Sequence, residues 1–361
     1  MRPEAPNHIQ ALTSYAPGKP EDQLERELGV KCVAKLASNE NALGPSPLAA
    51  EAIRKIADQI NRYPDGGSYY LREAIGAKYG FHADHIFLGN GSNELLELIA
   101  RAYLTAGANA VVSDHAFLIF KIVVRLVNAD LHLVPMRDLT HDLEAMARSV
   151  DPRTQVIFFA NPNNPTGTMV GREKVEWFIE QVPPNVLIVL DEAYYEYIQR
   201  PDIARSLDYV RERENVVVLR TFSKVYGLAG LRVGFGIGTK QLVEDMNRVR
   251  EPFNVNLVAQ VAALAALQDE EHVRKSVALA VEGKNYLYGE LDRMGVPYVR
   301  SETNFLLVKV GNGREVYDSL LRFGVIVRPM DGDGLSEYIR VSIGLPGENE
   351  TFIDGLKRVL A

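Results

Sequence analysis

Seven short apolar runs punctuate the chain: "IFLG" (86–89), "AVVS" (110–113), "LHLV" (131–134), "QVIFFA" (155–160), "VLIVLD" (186–191), "NVVVLR" (215–220) and "RVGFGIG" (232–238). Most are apolar throughout rather than alternating, the pattern of strands covered on both faces. Between them lie segments such as "NELLELIARAYL" (93–104) and "REKVEWFIEQV" (172–182), whose apolar residues recur every three or four positions as in amphipathic helices. This alternation predicts an α/β unit, a three-layer α/β/α domain with a mostly parallel seven-stranded sheet. Towards the C-terminus "NFLLVKV", "REVYDSLLRFG", "VIVRP", "YIRVSIG" and "ENETFIDGLKRVL" read as βαββα, a smaller α+β domain. One long helical stretch from Leu257 to about Met294 is expected to join the two.

Composition narrows the class. A chain of 361 residues suits two domains of about 150 residues each. Net charge is −7 with both signs mixed and no basic block, which argues against a nucleic-acid partner. Cys32 is the only cysteine, so an intramolecular disulfide is impossible and a reducing compartment fits. No apolar run approaches the ~20 residues of a membrane span, and the N-terminus has no apolar core of signal-peptide type. A cytoplasmic protein with no membrane association is therefore expected. The histidines are scattered without ligand spacing, so no metal site is expected.

In open α/β sheets, ligands bind beyond the carboxyl ends of the strands. After "IFLG", Gly91, Ser92 and Asn93 open a helix, which makes either an ordinary N-cap or a cup for a phosphate. After "QVIFFA" comes "NPNNPTG", either a plain Asn-Pro loop or a display of ordered amides that includes Asn164. Asp191 ends an apolar strand, so it either caps a helix or implies a cationic partner. Lys224 stands just beyond "NVVVLR", and a simple salt bridge to Asp191 would satisfy both.

One cofactor accounts for these positions together. A desolvated lysine tends to lose its proton, and a neutral amine forms Schiff bases with aldehydes. A carboxylate set against a pyridine nitrogen keeps it protonated and makes the ring an electron sink. Lysine, aspartate and phosphate cup together describe pyridoxal 5′-phosphate, and no simple salt bridge needs all three.

The segments "LASNENALGPSP", "RYPDG", "GNGSNEL", "NPNNPTG", "DEAY", "TFSKVYGLAGLRVG" and "IRVSIG" occur in the order found in pyridoxal-phosphate aminotransferases of fold type I. With the opening "SYAPGKPEDQLERELG", the chain more narrowly resembles the histidinol-phosphate aminotransferases. The resemblance implies an N-terminal segment (1–45) joining the small domain and a dimer interface, a large cofactor-binding domain (46–265) and a small C-terminal domain (266–361). Lys224 would carry the cofactor as a Schiff base and then move the proton at the substrate's α-carbon. Asp191 would pair with the pyridinium nitrogen, and Asn164 and Tyr194 would bond the ring's 3-oxygen. Gly91, Ser92, Asn93, Thr221, Ser223 and Arg232 would hold the phosphate, with Tyr63 reaching it from the other subunit of a homodimer. The stacking aromatic falls on Phe120 in "HAFLIFK".

The resemblance also gives the substrates, L-histidinol phosphate and glutamate/2-oxoglutarate, exchanged by ping-pong transamination in histidine biosynthesis. Arg340 would grip the phosphate of one and the carboxylate of the other, since guanidinium suits both. Arg328 and Tyr15 would add donors. The chain departs from the subgroup at "RPMDGDGLSEY", where Asp331 and Asp333 stand close to the anion site and are expected to face water. An aromatic amino-acid aminotransferase is the nearest alternative, and a threonine-phosphate decarboxylase-like lyase a further one. A non-catalytic ligand-binding relative would be free to lose Lys224 or Asp191, and both are present.

Overall fold

The computed structural model describes residues 3–12 and 17–361. All seven apolar runs form strands of one sheet: β1 (Ile86–Gly89), β2 (Asn109–Ser113), β3 (Asp130–Val134), β4 (Thr154–Ala160), β5 (Leu187–Asp191), β6 (Val216–Thr221) and β7 (Gly234–Ile237). Their order across the sheet is β1-β7-β6-β5-β4-β2-β3, and only β7 runs antiparallel to its neighbours.

The uninterrupted apolar character follows from burial on both faces. Ile157, Phe159, Ile188, Leu190, Val216 and Val218 enter one core, packed with Phe178, Ala259 and Ala262 of flanking helices. The alternate residues Val156, Phe158, Leu187, Val189, Val217 and Leu219 enter another, with Leu95, Phe120, Val123 and Met246. Helices therefore cover the sheet from both sides, as the period-two alternation of a strand requires.

The stretch expected as one helix is two, Leu257–Ala266 and Glu270–Met294. Asp269 accepts the His272 N–H at 3.1 Å and caps the second helix, so a new helix starts where the apolar period gives no warning. That second helix touches both domains: Ala280 packs in the large core, Leu287 and Leu291 in the small one.

The small domain is a four-stranded antiparallel sheet ordered Arg328–Pro329, Tyr338–Ser342, Phe305–Lys309 and Tyr298–Val299. Helices Gly313–Leu321 and Pro346–Leu360 pack with it. The N-terminal segment joins this domain: Ala34–Lys35 pairs in parallel with Val325–Ile326, and Leu24, Ala34 and Leu36 complete its core. The chain then passes through Ala37, Ser38 and Asn39 toward the large domain, which brings these residues to the strand ends.

Candidate active site

The carboxyl ends of β4, β5 and β6 open into one cavity that meets the small domain. Ser92, Asn93, Asn164, Asp191, Tyr194, Thr221, Ser223, Lys224, Arg232, Arg328 and Arg340, all singled out in the sequence, line it together. Gly91 sits immediately behind them as the N-cap of the helix Ser92–Tyr103. Tyr63 is expected at the other subunit's site and Tyr15 within the N-terminal segment. Tyr63 is 82 % exposed and stacks on Phe253 at 4.7 Å, outside the cavity lining. Tyr15 lies outside the described residues.

Lys224 Nζ donates to the Ser38 carbonyl at 3.3 Å rather than bonding Asp191. Burial pushes its pKa down to about 8, and the Arg340 and Arg232 guanidinium groups push the same way against Glu40 and Asp191. The Asp191 charge acts least of these, so the simple salt bridge is not what holds the lysine. Asp191 itself is buried at the end of β5 and accepts the Ala193 N–H at 3.0 Å. Desolvation raises its carboxyl to about 6, so it is ionised at neutral pH but ready for a cationic partner.

The three asparagines of "NPNNPTG" divide their work. Asn161 exchanges hydrogen bonds with the Val170 backbone (2.8 and 3.0 Å), and Asn163 Nδ2 donates to Thr166 Oγ1 (2.9 Å) and the His115 carbonyl (3.1 Å). These two build the turn. Asn164 faces the cavity, where Arg340 Nη1 donates to its Oδ1 at 2.6 Å. Arg340 Nη2 also donates to the Ala37 carbonyl at 2.9 Å, tying the small domain to the N-terminal segment.

At the other end, Gly91 (φ +82°) turns the chain into the helix and has no side chain to cap it, so the first N–H groups of the helix face the cavity beside Thr221, Ser223 and Arg232. A Cβ on Gly91 would lie 2.3 Å from Arg232 Nη2, and one on Gly234 only 2.6 Å from the Ser92 nitrogen. Glycine alone lets the guanidinium and the helix start converge. Arg232 adopts φ +55° and donates to Ser223 Oγ at 3.2 Å, which aims it at the same spot. Backbone donors, hydroxyls and a guanidinium meeting at a helix N-terminus fit a phosphate, while Lys224 and Asp191 fit the two ends of a pyridine-aldehyde ring. The donor set thus fits pyridoxal 5′-phosphate.

One assignment needs correction. Phe120 does not line the cavity; its ring is wholly buried and stacks on Phe158 at 5.3 Å in the core. Phe117 lines it instead. Phe117 precedes the helix Leu118–Leu126, with φ −51° and ψ 121°, whereas Phe120 lies inside it on the face packed against β4.

Sequence reasoning also missed residues. Asn39, with φ +55°, donates through Nδ2 to Tyr194 Oη at 2.9 Å, and Ser342 Oγ donates to Asn39 Oδ1 at 3.1 Å. It orients the Tyr194 hydroxyl from the N-terminal segment. Behind Asp191, Glu192 and Arg220 form a buried ion pair (2.8 and 3.0 Å), with the Arg220 guanidinium over the Tyr195 ring at 3.8 Å. Two charges inside otherwise apolar strand ends were the available signal, since each requires a partner.

The family model for class I and II aminotransferases matches residues 31–356. Over 361 aligned residues the chain is 49 % identical to a histidinol-phosphate aminotransferase of Moorella thermoacetica, covering 99 % of this chain and 94 % of the relative. It is 47 % identical over 356 residues to histidinol-phosphate aminotransferase 2 of Pseudomonas fluorescens, covering 98 % and 96 %. Among solved structures, the histidinol-phosphate aminotransferase of Sinorhizobium meliloti in complex with pyridoxal-5′-phosphate superposes with a TM-score of 0.90 at 30 % identity, covering 98 % of this chain and 96 % of that one.

Proposed function

The chain belongs to the class I and II aminotransferase family, and on that premise we propose that it transfers the amino group of L-histidinol phosphate to 2-oxoglutarate, giving imidazole acetol phosphate and glutamate in histidine biosynthesis. It is a pyridoxal-phosphate-dependent aminotransferase. When bound, the cofactor supplies an aldehyde for an amine and a ring that accepts electron density from the substrate's α-carbon.

The chain's own residues do the rest. Lys224, with a pKa near 8, has a usable neutral fraction at physiological pH. Its Nζ would hold the cofactor's aldehyde and, once displaced by the substrate's amine, would take the proton from the substrate's α-carbon and hand it to the cofactor's former aldehyde carbon. Asp191 holds a proton on the ring nitrogen. Asn164 and Tyr194 bond the ring's 3-oxygen. Ser92, Asn93, Thr221, Ser223 and Arg232 would hold the phosphate, and Phe117 would pack against the ring. Arg340 and Arg328 grip the phosphate of one substrate and the carboxylate of the other in turn, so one site serves both halves of a ping-pong cycle. Tyr63, with Tyr69 and Tyr70 also strongly exposed, fits a surface that a second copy covers, from which it reaches the neighbouring site. No helix among the described residues is long and apolar enough to cross a membrane, and a cytoplasmic homodimer is the state this reading expects.

The observation that carries the proposal is the convergence of Lys224, Asp191 and the uncapped helix start with the two arginines of the small domain in one cavity. The test is a half-reaction without keto acid, followed by absorbance. Holoenzyme is mixed separately with L-histidinol phosphate and L-phenylalanine at equal concentration. Much faster conversion by histidinol phosphate is expected; equal or faster conversion by phenylalanine would make this an aromatic or broad-range enzyme.

A further inference from the structure

The turn between the two arginine strands carries two acids that point in opposite directions. Asp331 faces out, where Arg314 Nη2 donates to both carboxylate oxygens at 3.0 Å. Asp333, expected to face water, instead lines the cavity with Arg328 and Arg340. The backbone holds it there. The Asp333 N–H donates to the Met330 carbonyl at 3.1 Å, and the Asp333 carbonyl accepts from His115 Nδ1 at 3.0 Å. Gly334 follows in the left-handed region (φ +76°), so close to the His115 ring that a Cβ would sit 3.3 Å from Cε1.

Arg328 and Arg340 are direct cross-strand partners. Residues opposite each other project from the same face, so two like charges stand side by side where one anion can meet both. Among the described lining residues Asp333 is the one acid besides Asp191. With Asp191 committed to the cofactor nitrogen, Asp333 is the acid of this lining left to the substrate region. Burial pushes its carboxyl above the usual range, against the pull of Arg340, Arg328, Lys121 and His115. A desolvated charge acts on its neighbours more strongly than one in water.

We propose that Asp333 is a specificity-determining residue, whose carboxylate weakens the Arg328–Arg340 site for anions in proportion to the anion's charge and so brings a phosphate dianion and a carboxylate monoanion into a comparable range of affinity. The inference rests on the function proposed above, in which one site must accept and release both. A pair of arginines left unopposed would favour the dianion so strongly that it would exclude the carboxylate of the second half-reaction.

The experiment compares wild-type, Asp333→Asn and Asp333→Ala holoenzymes at pH 8, where a phosphate ester is dianionic. The half-reaction is followed with histidinol phosphate and, separately, with L-glutamate, and the half-saturating concentration is recorded for each. Coulomb energy scales with the charge seated on the arginine pair, so removing Asp333 is expected to lower that concentration about tenfold for histidinol phosphate and about threefold for glutamate, only one of whose two carboxylates sits there, a two-to-one ratio of logarithms. Asn and Ala should agree. Asp331→Asn, which alters the outward acid of the same turn, should leave both values within about twofold. Equal shifts for the two substrates, no shift, weaker phosphate binding, or disagreement between Asn and Ala would each overturn the charge-balancing role. Failure of the wild-type enzyme to convert histidinol phosphate would count against the proposed substrate instead. The same ratio would then be read from inhibition of the glutamate half-reaction by inorganic phosphate and by acetate.

Discussion

Replacing Lys224 by methionine should abolish turnover and make the cofactor-free protein more stable. Methionine nearly matches the lysine stem in volume, so packing changes little. What disappears is the cost of holding an ammonium group in the site. Its pKa falls from 10.5 to about 8, and at 1.36 kcal/mol per unit this corresponds to at most about 3 kcal/mol. Because the side chain is partly exposed to the cavity, water there reduces the figure, and a gain of about 1–3 kcal/mol is expected at pH 7. The pH dependence distinguishes this cause from any packing effect. A lysine with a depressed native pKa destabilises fully below about 8, where it is charged in both states, and the penalty fades as pH rises toward 10.5, where it is neutral in both. The assay is urea unfolding of both apo proteins at one protein concentration, from pH 7 to pH 10.5, since the stability of the proposed dimer would depend on concentration. A difference that is zero at pH 7, or that grows with pH, would refute the reasoning.

The aromatic pair gives a sharper contrast. Phe120→Ala should cost about 3–5 kcal/mol of stability by urea unfolding, as expected for a core phenylalanine, with cofactor affinity retained in whatever folds. Phe117→Ala should leave stability within about 1 kcal/mol yet weaken cofactor binding roughly tenfold in a spectrophotometric titration, the loss of one ring contact; the reverse ranking would restore Phe120 to the site. Behind Asp191, Glu192→Gln leaves the buried Arg220 charge without its partner and should cost about 3–5 kcal/mol. Replacing Glu192 and Arg220 together by leucine should recover most of that loss, and failure to recover would show that the pair does more than neutralise itself.

The strands were legible because burial on both faces leaves a continuous apolar signature, and the residues at their carboxyl ends were legible because a polar group there needs a reason. Asp191 and Lys224 could be read this way. The break between Leu257–Ala266 and Glu270–Met294 could not, since its only marker is one aspartate inside a continuing helical period. Phe117 and Phe120 stand three apart, and only the helix start between them decides which ring faces the cavity. Asn39 was beyond reach for a different reason. Its role depends on a segment near the N-terminus crossing to meet Tyr194, 155 residues later in the chain, and no periodicity encodes a tertiary crossing. Asp333 shows the same limit at short range: Asp331 and Asp333 are both acids of one exposed-looking turn, and their opposite fates are set by Arg314 on one side and His115 on the other.

The two anion sites and the lysine between their influences form one electrostatic unit. Arg340 and Arg232 both depress the proton affinity of Lys224, and on the function proposed above each belongs to a different anion site, one for substrate and one for the cofactor phosphate. With the sites empty, both guanidinium charges act on the amine together with burial. An anion seated on either arginine offsets its field, so filling the sites raises the affinity of the amine for a proton. The pKa near 8 leaves a neutral fraction able to act as nucleophile and base, and the seated anions strengthen that base for the proton it must take. The same arginines proposed to recognise the ligands therefore also tune the strength of the base.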